Sequence, residues 1–403
     1  MRDHLYLEEE QCRTTFPTLF REVDDAVARG NFVFEKSNPD YQGLVQGRIK
    51  DGKLYVLSAA PDTVDEIHHE RTAILSQVHR ALLTSPSPLP DIHFAYVIND
   101  SPKNNSWAFA RPNKPSTYNT WLMPAFAFWS WPSPALGAMD DILNRIESVE
   151  KELAWDKKND KAVWRGTPWF NPLGHPTLRQ DLLKAARGKE WADVAGFNMS
   201  NGMEATNILQ IEDFCRYKYV VYTEGVTYSG RLPYHQACGS VLLTPPLTYL
   251  THTAWLMRPI HADYLLALFD QANKTHESPA FNSPRYRPPP ALLPSVKGWR
   301  EANAIYVDPK FSNLESVILF LRSHPDVAKR IAQNQRDAVV MAGYLSTAAE
   351  TCYWRGLIRG WASVAKVDNG WGEELGERFE TWILRQVTER RDMVRGKNSR
   401  SLQ

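Results

Sequence analysis

The 403-residue chain contains no run of about 18 apolar residues, so nothing in it reads as a membrane-spanning helix. It also lacks a surplus of either charge: 47 Lys and Arg stand against 46 Asp and Glu, a formal net charge of +1. A general nucleic-acid binder usually carries a strong basic excess on one face, so that class is set aside. There is no Walker loop, no G-x-G-x-x-G, no H-E-x-x-H and no G-x-S-x-G. Asp-x-Asp is absent as well, which counts against a diphosphate held through a divalent metal by such a carboxylate pair. The four cysteines, Cys12, Cys215, Cys238 and Cys352, form no C-x-x-C pair, which argues against structural zinc or a redox dithiol. They are either buried thiols of a reduced cytosolic protein or, if neighbouring strands bring Cys215 and Cys238 together, partners in a disulfide. Sequons at Asn99, Asn104, Asn198 and Asn273 arise about as often by chance and decide nothing. The first ten residues are charged where a signal peptide is apolar. That leaves a cytosolic protein, or a chain that starts after its targeting segment.

What is present suffices for packed domains, since 43% of the residues are hydrophobic and the length suits two domains of about 100–200 residues each. Phe16, Leu19, Phe20, Val23 and Val27 recur at helical spacing, and Thr63–Leu83 reads as a second helix. Gly47–Leu57 alternates around Asp51-Gly52 and reads as a hairpin. Ile92–Ile98 is a compact apolar strand, and residues 102–135, rich in Pro, Trp and Asn, read as a long functional loop. Beyond a helix over Asp140–Ala154 the pattern alternates. Strands over Ala162–Arg165, Tyr217–Thr223 and Ser240–Thr244 are interleaved with helices over Thr177–Arg187 and Arg231–Ala237, which predicts a parallel sheet. The proline-rich stretch 277–294 is an extended loop or insertion. Leu314–Arg322, Pro325–Met341, Glu350–Val367 and Glu373–Glu389 carry helical stripes. The fold class is α/β.

Three places could carry chemistry. The run Tyr217-Lys-Tyr-Val-Val-Tyr-Thr-Glu-Gly-Val-Thr-Tyr-Ser-Gly-Arg231 joins a strand to a helix through small residues. Backbone amides at that helix start, with Arg231, suit a diphosphate; the other reading is a plain turn with a solvent-facing arginine. Trp164-Arg165-Gly166-Thr167 sits at a strand's carboxyl end with Arg179 twelve residues further on, and Arg165 either meets a ligand or pairs inside the sheet. Asp100 ends the Ile92–Ile98 strand, as a general base or as a turn former before Ser101-Pro102. Trp107, Trp121, Phe126, Phe128, Trp129 and Trp131 either stack on sugar faces or belong to the core.

Eight short segments in order then carry a resemblance: Tyr96-Val-Ile-Asn-Asp-Ser-Pro102, Phe126-Ala-Phe-Trp-Ser130, Trp155-Asp-Lys-Lys, Ala162-Val-Trp-Arg-Gly-Thr167, Asp213-Phe-Cys-Arg-Tyr-Lys-Tyr219, Gly225-Val-Thr-Tyr-Ser-Gly-Arg231, Ala237-Cys-Gly-Ser-Val241 and Thr351-Cys-Tyr-Trp354. Together they span most of residues 12–355, and the chain resembles glycosyltransferase family 90. That family holds secretory-pathway protein O-glucosyltransferases, fungal capsule-type β-1,2-xylosyltransferases and lipopolysaccharide-modifying CAP domains. The resemblance implies a GT-B-like fold of two Rossmann-like domains, with C-terminal helices packing back on the first. Residues 1–155 would be the acceptor and catalytic-base domain, 156–345 the nucleotide-sugar domain, and 346–403 the returning helices. It implies an inverting, metal-independent transfer of glucose or xylose from a UDP-sugar to a hydroxyl of a protein or glycan, with no cofactor. Asp100 would be the base in the cleft between the domains. Thr167, Arg179 and the loop Val226, Thr227, Tyr228, Ser229, Gly230 and Arg231 would bind the nucleotide-sugar, with Arg231 neutralising the leaving group. The resemblance also pairs Cys215 with Cys238 and Cys12 with Cys352. Such bridges suit an oxidising compartment, the endoplasmic reticulum or Golgi lumen, reached through an upstream targeting segment. A non-catalytic carbohydrate-binding protein using the tryptophan-rich loop is the rival reading, and a nucleotide-sugar hydrolase a third.

Overall fold

The computed structural model of the chain describes residues 4–60, 64–133, 135–200, 204–272 and 295–386. Asn273, the proline-rich stretch 277–294 and the end of the helix expected over Glu373–Glu389 lie outside them. The described residues fall into two compact units. The first draws on Met1–Phe109, Pro115–Trp129 and Thr347–Gln403, the second on Ala110–Lys114 and Ser130–Ser346. Residues 130–155 thus cluster with the second unit. Among the described residues no helix is long and apolar enough to cross a membrane.

The second unit is built on a six-stranded sheet in the order Ala192–Gly196, Asn159–Gly166, Tyr217–Val221, Val241–Thr244, Ala304–Tyr306, Pro259–His261, with every neighbouring pair parallel. Runs such as Tyr219-Val-Val221 and Val241-Leu-Leu243 are apolar without alternation because both faces of a parallel sheet are covered. Helices Leu178–Ala186, Leu314–Ser323 and Pro325–Arg336 supply the covering side chains, among them Leu182, Val317, Ile318 and Ile331. Since all six strands run the same way, their carboxyl ends share one edge of the sheet, the place where open α/β sheets bind ligands.

The first unit departs from the Rossmann-like expectation. Its six-stranded sheet, in the order Glu377–Arg378, Lys53–Ala59, Leu44–Lys50, Ile92–Val97, Trp107–Ala108, Trp121–Leu122, is antiparallel across the first three pairs and parallel across the last two. The cause is local: Asp51 and Gly52 take φ of 50° and 70°, a two-residue turn that returns the chain antiparallel to itself. Helix Asp65–Leu83 and the C-terminal helix Thr347–Val364 are joined by Trp354 Nε1 to Gln77 Oε1 (3.0 Å) and Arg355 Nε to the Ala81 carbonyl (3.1 Å). Arg355 also donates to the carbonyls of Leu5 and Leu7, and the Cys12–Cys352 disulfide, with a Cα separation of 5.8 Å, fixes the same junction. The C-terminal helix therefore returns to the first unit.

Two expectations need correction here. The helix expected around Phe16–Val27 is two, Glu9–Thr15 and Arg21–Ala28, because Pro17 lacks an amide hydrogen and Thr18 takes φ 66°. Phe16, Leu19, Phe20 and Val23 are buried all the same. The aromatic part of the long loop 102–135 is mostly core. Trp107 stacks on Phe94 at 4.9 Å between centroids, and Trp107, Trp121, Phe126 and Phe128 are all buried. Of the six rings considered for sugar stacking, four therefore belong to the core, while Trp129 is 38% exposed and Trp131 partly exposed.

Candidate functional site

In the second unit, Asn159–Gly166 ends against the ring of Trp164. A Cβ on Gly166 would lie 2.7 Å from that ring, which is why glycine stands there, and 3.3 Å from Arg231 Nη2, a tight contact. Trp164 is itself held by Nε1 donating to Thr223 Oγ1 at 3.0 Å. Arg179, 5% exposed in the first turn of Leu178–Ala186, donates from Nε to the Glu224 carbonyl (3.1 Å) and from Nη1 to the Thr167 carbonyl (2.9 Å). Arg231 donates from Nη1 to the Arg165 carbonyl at 2.6 Å. Thr167, Arg179 and Arg231 thus meet at the carboxyl edge of the sheet.

Two guanidiniums crowd that edge, and among the described residues neither forms an ion pair with a carboxylate. Burial draws both from 12.5 to about 10, and for Arg179 the adjacent Arg231 adds repulsion. Positive charge held out of water without a counter-ion is costly unless an anion completes it, so the arrangement fits a phosphate-bearing ligand. Burial pushes the neighbouring Glu224 carboxyl up to about 7, and its oxygens are turned away, onto Thr248 and Tyr249.

The loop from Glu224 to Arg231 follows a tighter course than its sequence suggests. The Gly225 amide donates to Thr227 O at 3.0 Å. The buried Tyr222 hydroxyl accepts from the Ser229 amide (2.9 Å) and donates to its carbonyl (3.3 Å). These two amides are therefore engaged inside the turn, contrary to the expectation that they face a ligand. The following helix, Leu232–Ala237, has six residues and begins after Arg231, so the anion-holding capacity rests on the arginines rather than on a helix dipole. Val226 is exposed, Thr227 buried, and Tyr228, Ser229 and Gly230 lie between. A Cβ on Gly230 would meet the Trp131 ring at 2.8 Å, which is why glycine stands there. The Cys215–Cys238 disulfide, Cα separation 4.8 Å, bolts the turn Ile211–Arg216 to the residue after that helix.

Arg165 is resolved in favour of the internal pair: Nη2 meets Asp193 Oδ1 at 2.7 Å, Nη1 donates to the Trp164 and Asp193 carbonyls, and Tyr217 donates to the same carboxylate. Tyr222 and Glu224 carry no role in the sequence reading, and Trp131 figures there only among the aromatic rings weighed for sugar stacking. Only the Glu224-Gly225 pair carried a signal, as a strand end.

In the first unit, Asp100 lies three residues beyond the strand Ile92–Val97 and is exposed. The turn there is made by Asn99, whose Oδ1 accepts from the Ser101 amide (2.9 Å) and whose Nδ2 donates to the Gln42 carbonyl (2.6 Å). Asn99 therefore holds this turn on both sides of Asp100. Glu70, on the helix Asp65–Leu83, is pushed up to about 8 by burial and then by the charges of Glu66 and Asp100. With a folded value above the ordinary 4.5, Glu70 supports stability below pH 4.5 and ceases to as pH rises to about 8. Glu70→Gln is expected to raise the melting temperature at pH 8.5 and leave it unchanged at pH 4. An equal shift at both would show that the carboxyl is not held out of water.

The family model described as Glycosyl transferase family 90 matches residues 31–265, more than half of the chain. The chain belongs to glycosyltransferase family 90. Within that family it is similar to Protein O-glucosyltransferase 1 of Homo sapiens, 24% identical over 301 residues, covering 70% of this chain and 65% of the relative. It is also similar to the O-glucosyltransferase rumi homolog of Aedes aegypti, 24% identical over 297 residues, covering 70% and 63%. For O-glucosyltransferase rumi of Drosophila melanogaster the figures are 20% over 305 residues, 70% and 62%. The match to this family-90 chain thus spans just under two thirds of each of these relatives. Both the Asp100 turn and the Arg179–Arg231 cradle lie inside the family match.

Proposed function

We propose that the protein transfers a sugar, glucose or xylose, from a UDP-sugar to a hydroxyl of a protein or glycan acceptor. The observation that carries this reading is a pair of guanidiniums, the buried Arg179 and the partly buried Arg231, without a carboxylate counter-ion among the described residues, at the carboxyl edge of a parallel sheet. In the proposal they hold the donor diphosphate and neutralise it as it leaves, the task a divalent metal performs elsewhere. Asp100 takes the proton from the acceptor hydroxyl, whose oxygen attacks the anomeric carbon opposite the departing UDP. A single displacement of that kind inverts the configuration. The fold is read as GT-B-like, with the all-parallel unit as its nucleotide-sugar half. That the named relatives are O-glucosyltransferases supports glucose as the donor sugar, and the first of them supports a protein as the acceptor. Two disulfides suit a secretory lumen.

The test is calorimetric titration with UDP in EDTA, then with UDP-glucose and UDP-xylose. Metal-free binding is expected, with the tighter sugar naming the donor. Arg231→Ala should weaken UDP by about 10–150-fold, the worth of one charged hydrogen bond at roughly 1.5–3 kcal/mol. No binding by folded protein would overturn the transferase reading. Unchanged UDP affinity in the variant would remove Arg231 from the site.

A further inference from the structure

Glu224 stands beside two arginines and pairs with neither. Its side chain is 4% exposed, and its oxygens are saturated by one short segment: the Thr248 amide at 2.9 and 3.1 Å, Thr248 Oγ1 at 2.6 Å and the Tyr249 amide at 2.8 Å. Its main-chain carbonyl points the other way and accepts from Arg179 Nε at 3.1 Å. One residue thus divides its two ends between an anchoring segment and a cation.

The anchoring segment is itself fixed. Tyr249 and Leu250 pair antiparallel with Pro112 and Arg111, and the Asn113 amide donates to the Thr248 carbonyl at 3.2 Å. On the other side, Arg179 has Nε on the Glu224 carbonyl and Nη1 on the Thr167 carbonyl, and its own amide donates to Asn171 Oδ1 at 2.8 Å. Among the described residues Nη2 makes no hydrogen bond, and it lies 3.4 Å from where a Cβ on Gly225 would stand. A side chain at 225 would therefore lie in contact with Nη2. If the Glu224 carboxylate turned to Arg179 instead, it would neutralise the cation and compete with a bound phosphate.

We propose that Glu224 is a positioning residue for Arg179: clamped by Thr248 and Tyr249, it keeps its carbonyl on Nε and so aims Nη2 at the donor diphosphate. This rests on the donor reading above. A carboxylate is suited to the task because it accepts from three donors at once without offering a proton in return. An amide in the same place would set its NH2 against the donors of Thr248 or Tyr249. A residue of purely structural use would couple to the fold as a whole. Glu224 should couple to Arg179 in particular, so the decisive readout is a double-mutant cycle on ligand affinity.

UDP and uridine are titrated into wild type, Glu224→Gln, Arg179→Ala and the double variant. Glu224→Gln is expected to weaken UDP tenfold or more, to leave uridine unchanged, and to have less than a twofold effect once Arg179 is gone. Should Glu224→Gln fail to fold, Thr248→Val removes one of the three donors. It is expected to give a smaller loss with the same dependence on Arg179. Equal UDP affinity in wild type and variant, or a loss that persists in full without Arg179, overturns the proposal alone. Failure of folded wild type to bind UDP overturns the donor reading, and this proposal with it.

Discussion

Asp100→Asn should lower the transfer rate by about 10²–10⁴-fold, the usual share of a positioned general base, while UDP affinity stays as in wild type. The two readouts separate because Asp100 belongs to the first unit and the arginine cradle to the second. The amide is isosteric with the carboxylate, and the Asn99 hydrogen bonds to the Ser101 amide and the Gln42 carbonyl are untouched, so the turn should survive the change. Single-turnover transfer with donor and acceptor both saturating reads the chemical step directly. Near-normal transfer by a variant that binds UDP normally would mean that another group takes the proton. A parallel fall in UDP affinity would mean that the substitution disturbed more than the base.

Replacing both cysteines of the Cys12–Cys352 bridge by serine should be the most damaging change to stability. The bridge closes a sequence separation of 340 residues, against 23 for Cys215–Cys238. In the chain-entropy description the longer loop is worth about 5–6 kcal/mol and the shorter about 3. The first figure rivals the whole stability of an ordinary domain at ~5–15 kcal/mol. Differential scanning calorimetry of the double serine variant should show a transition of the first unit shifted down strongly, with that of the second nearly in place. A single unshifted transition would show that Arg355 and the buried aromatic cluster hold the junction without the bridge. Loss of Cys215–Cys238 should instead weaken UDP, because the bridge ends one residue beyond the helix that follows Arg231.

Much of the second unit was legible. Apolar runs such as Tyr219-Val-Val221 and Val241-Leu-Leu243 announce parallel strands buried on both faces, and the helix Leu178–Ala186 lies within one residue of its expected bounds. Asp51-Gly52 gave away its hairpin through backbone preference alone. The strands Ala192–Gly196, Pro259–His261 and Ala304–Tyr306 went unread because, unlike Tyr217–Val221 and Val241–Thr244, these short runs carry no unbroken valine- or leucine-rich core. The aromatic loop misled because tryptophan count does not say which rings face inward. That is decided by partners distant in sequence, such as Trp361 beside Trp107. In the site, the arginines were visible as residue types at strand ends. What no local pattern carries is the choice between partners: Arg165 went to Asp193, while Arg231 meets no acid among the described residues. Glu224 was passed over for the same reason, since its partners lie 24 and 25 residues away.

The first unit is sewn from both ends of the chain, and this has a consequence at the ribosome. Its edge strand Glu377–Arg378, its long helix Thr347–Val364 and the strand Ala365–Val367 that pairs with Phe32–Phe34 are all made after the second unit. The unit's earlier residues must wait, unfinished, while nearly all of the second unit emerges as one continuous stretch. For that interval Cys12 is an unpaired thiol in the company of Cys215 and Cys238, its proper partner not yet made. Correct pairing during synthesis therefore depends on the second unit closing its own short bridge first, which removes both wrong partners before Cys352 arrives.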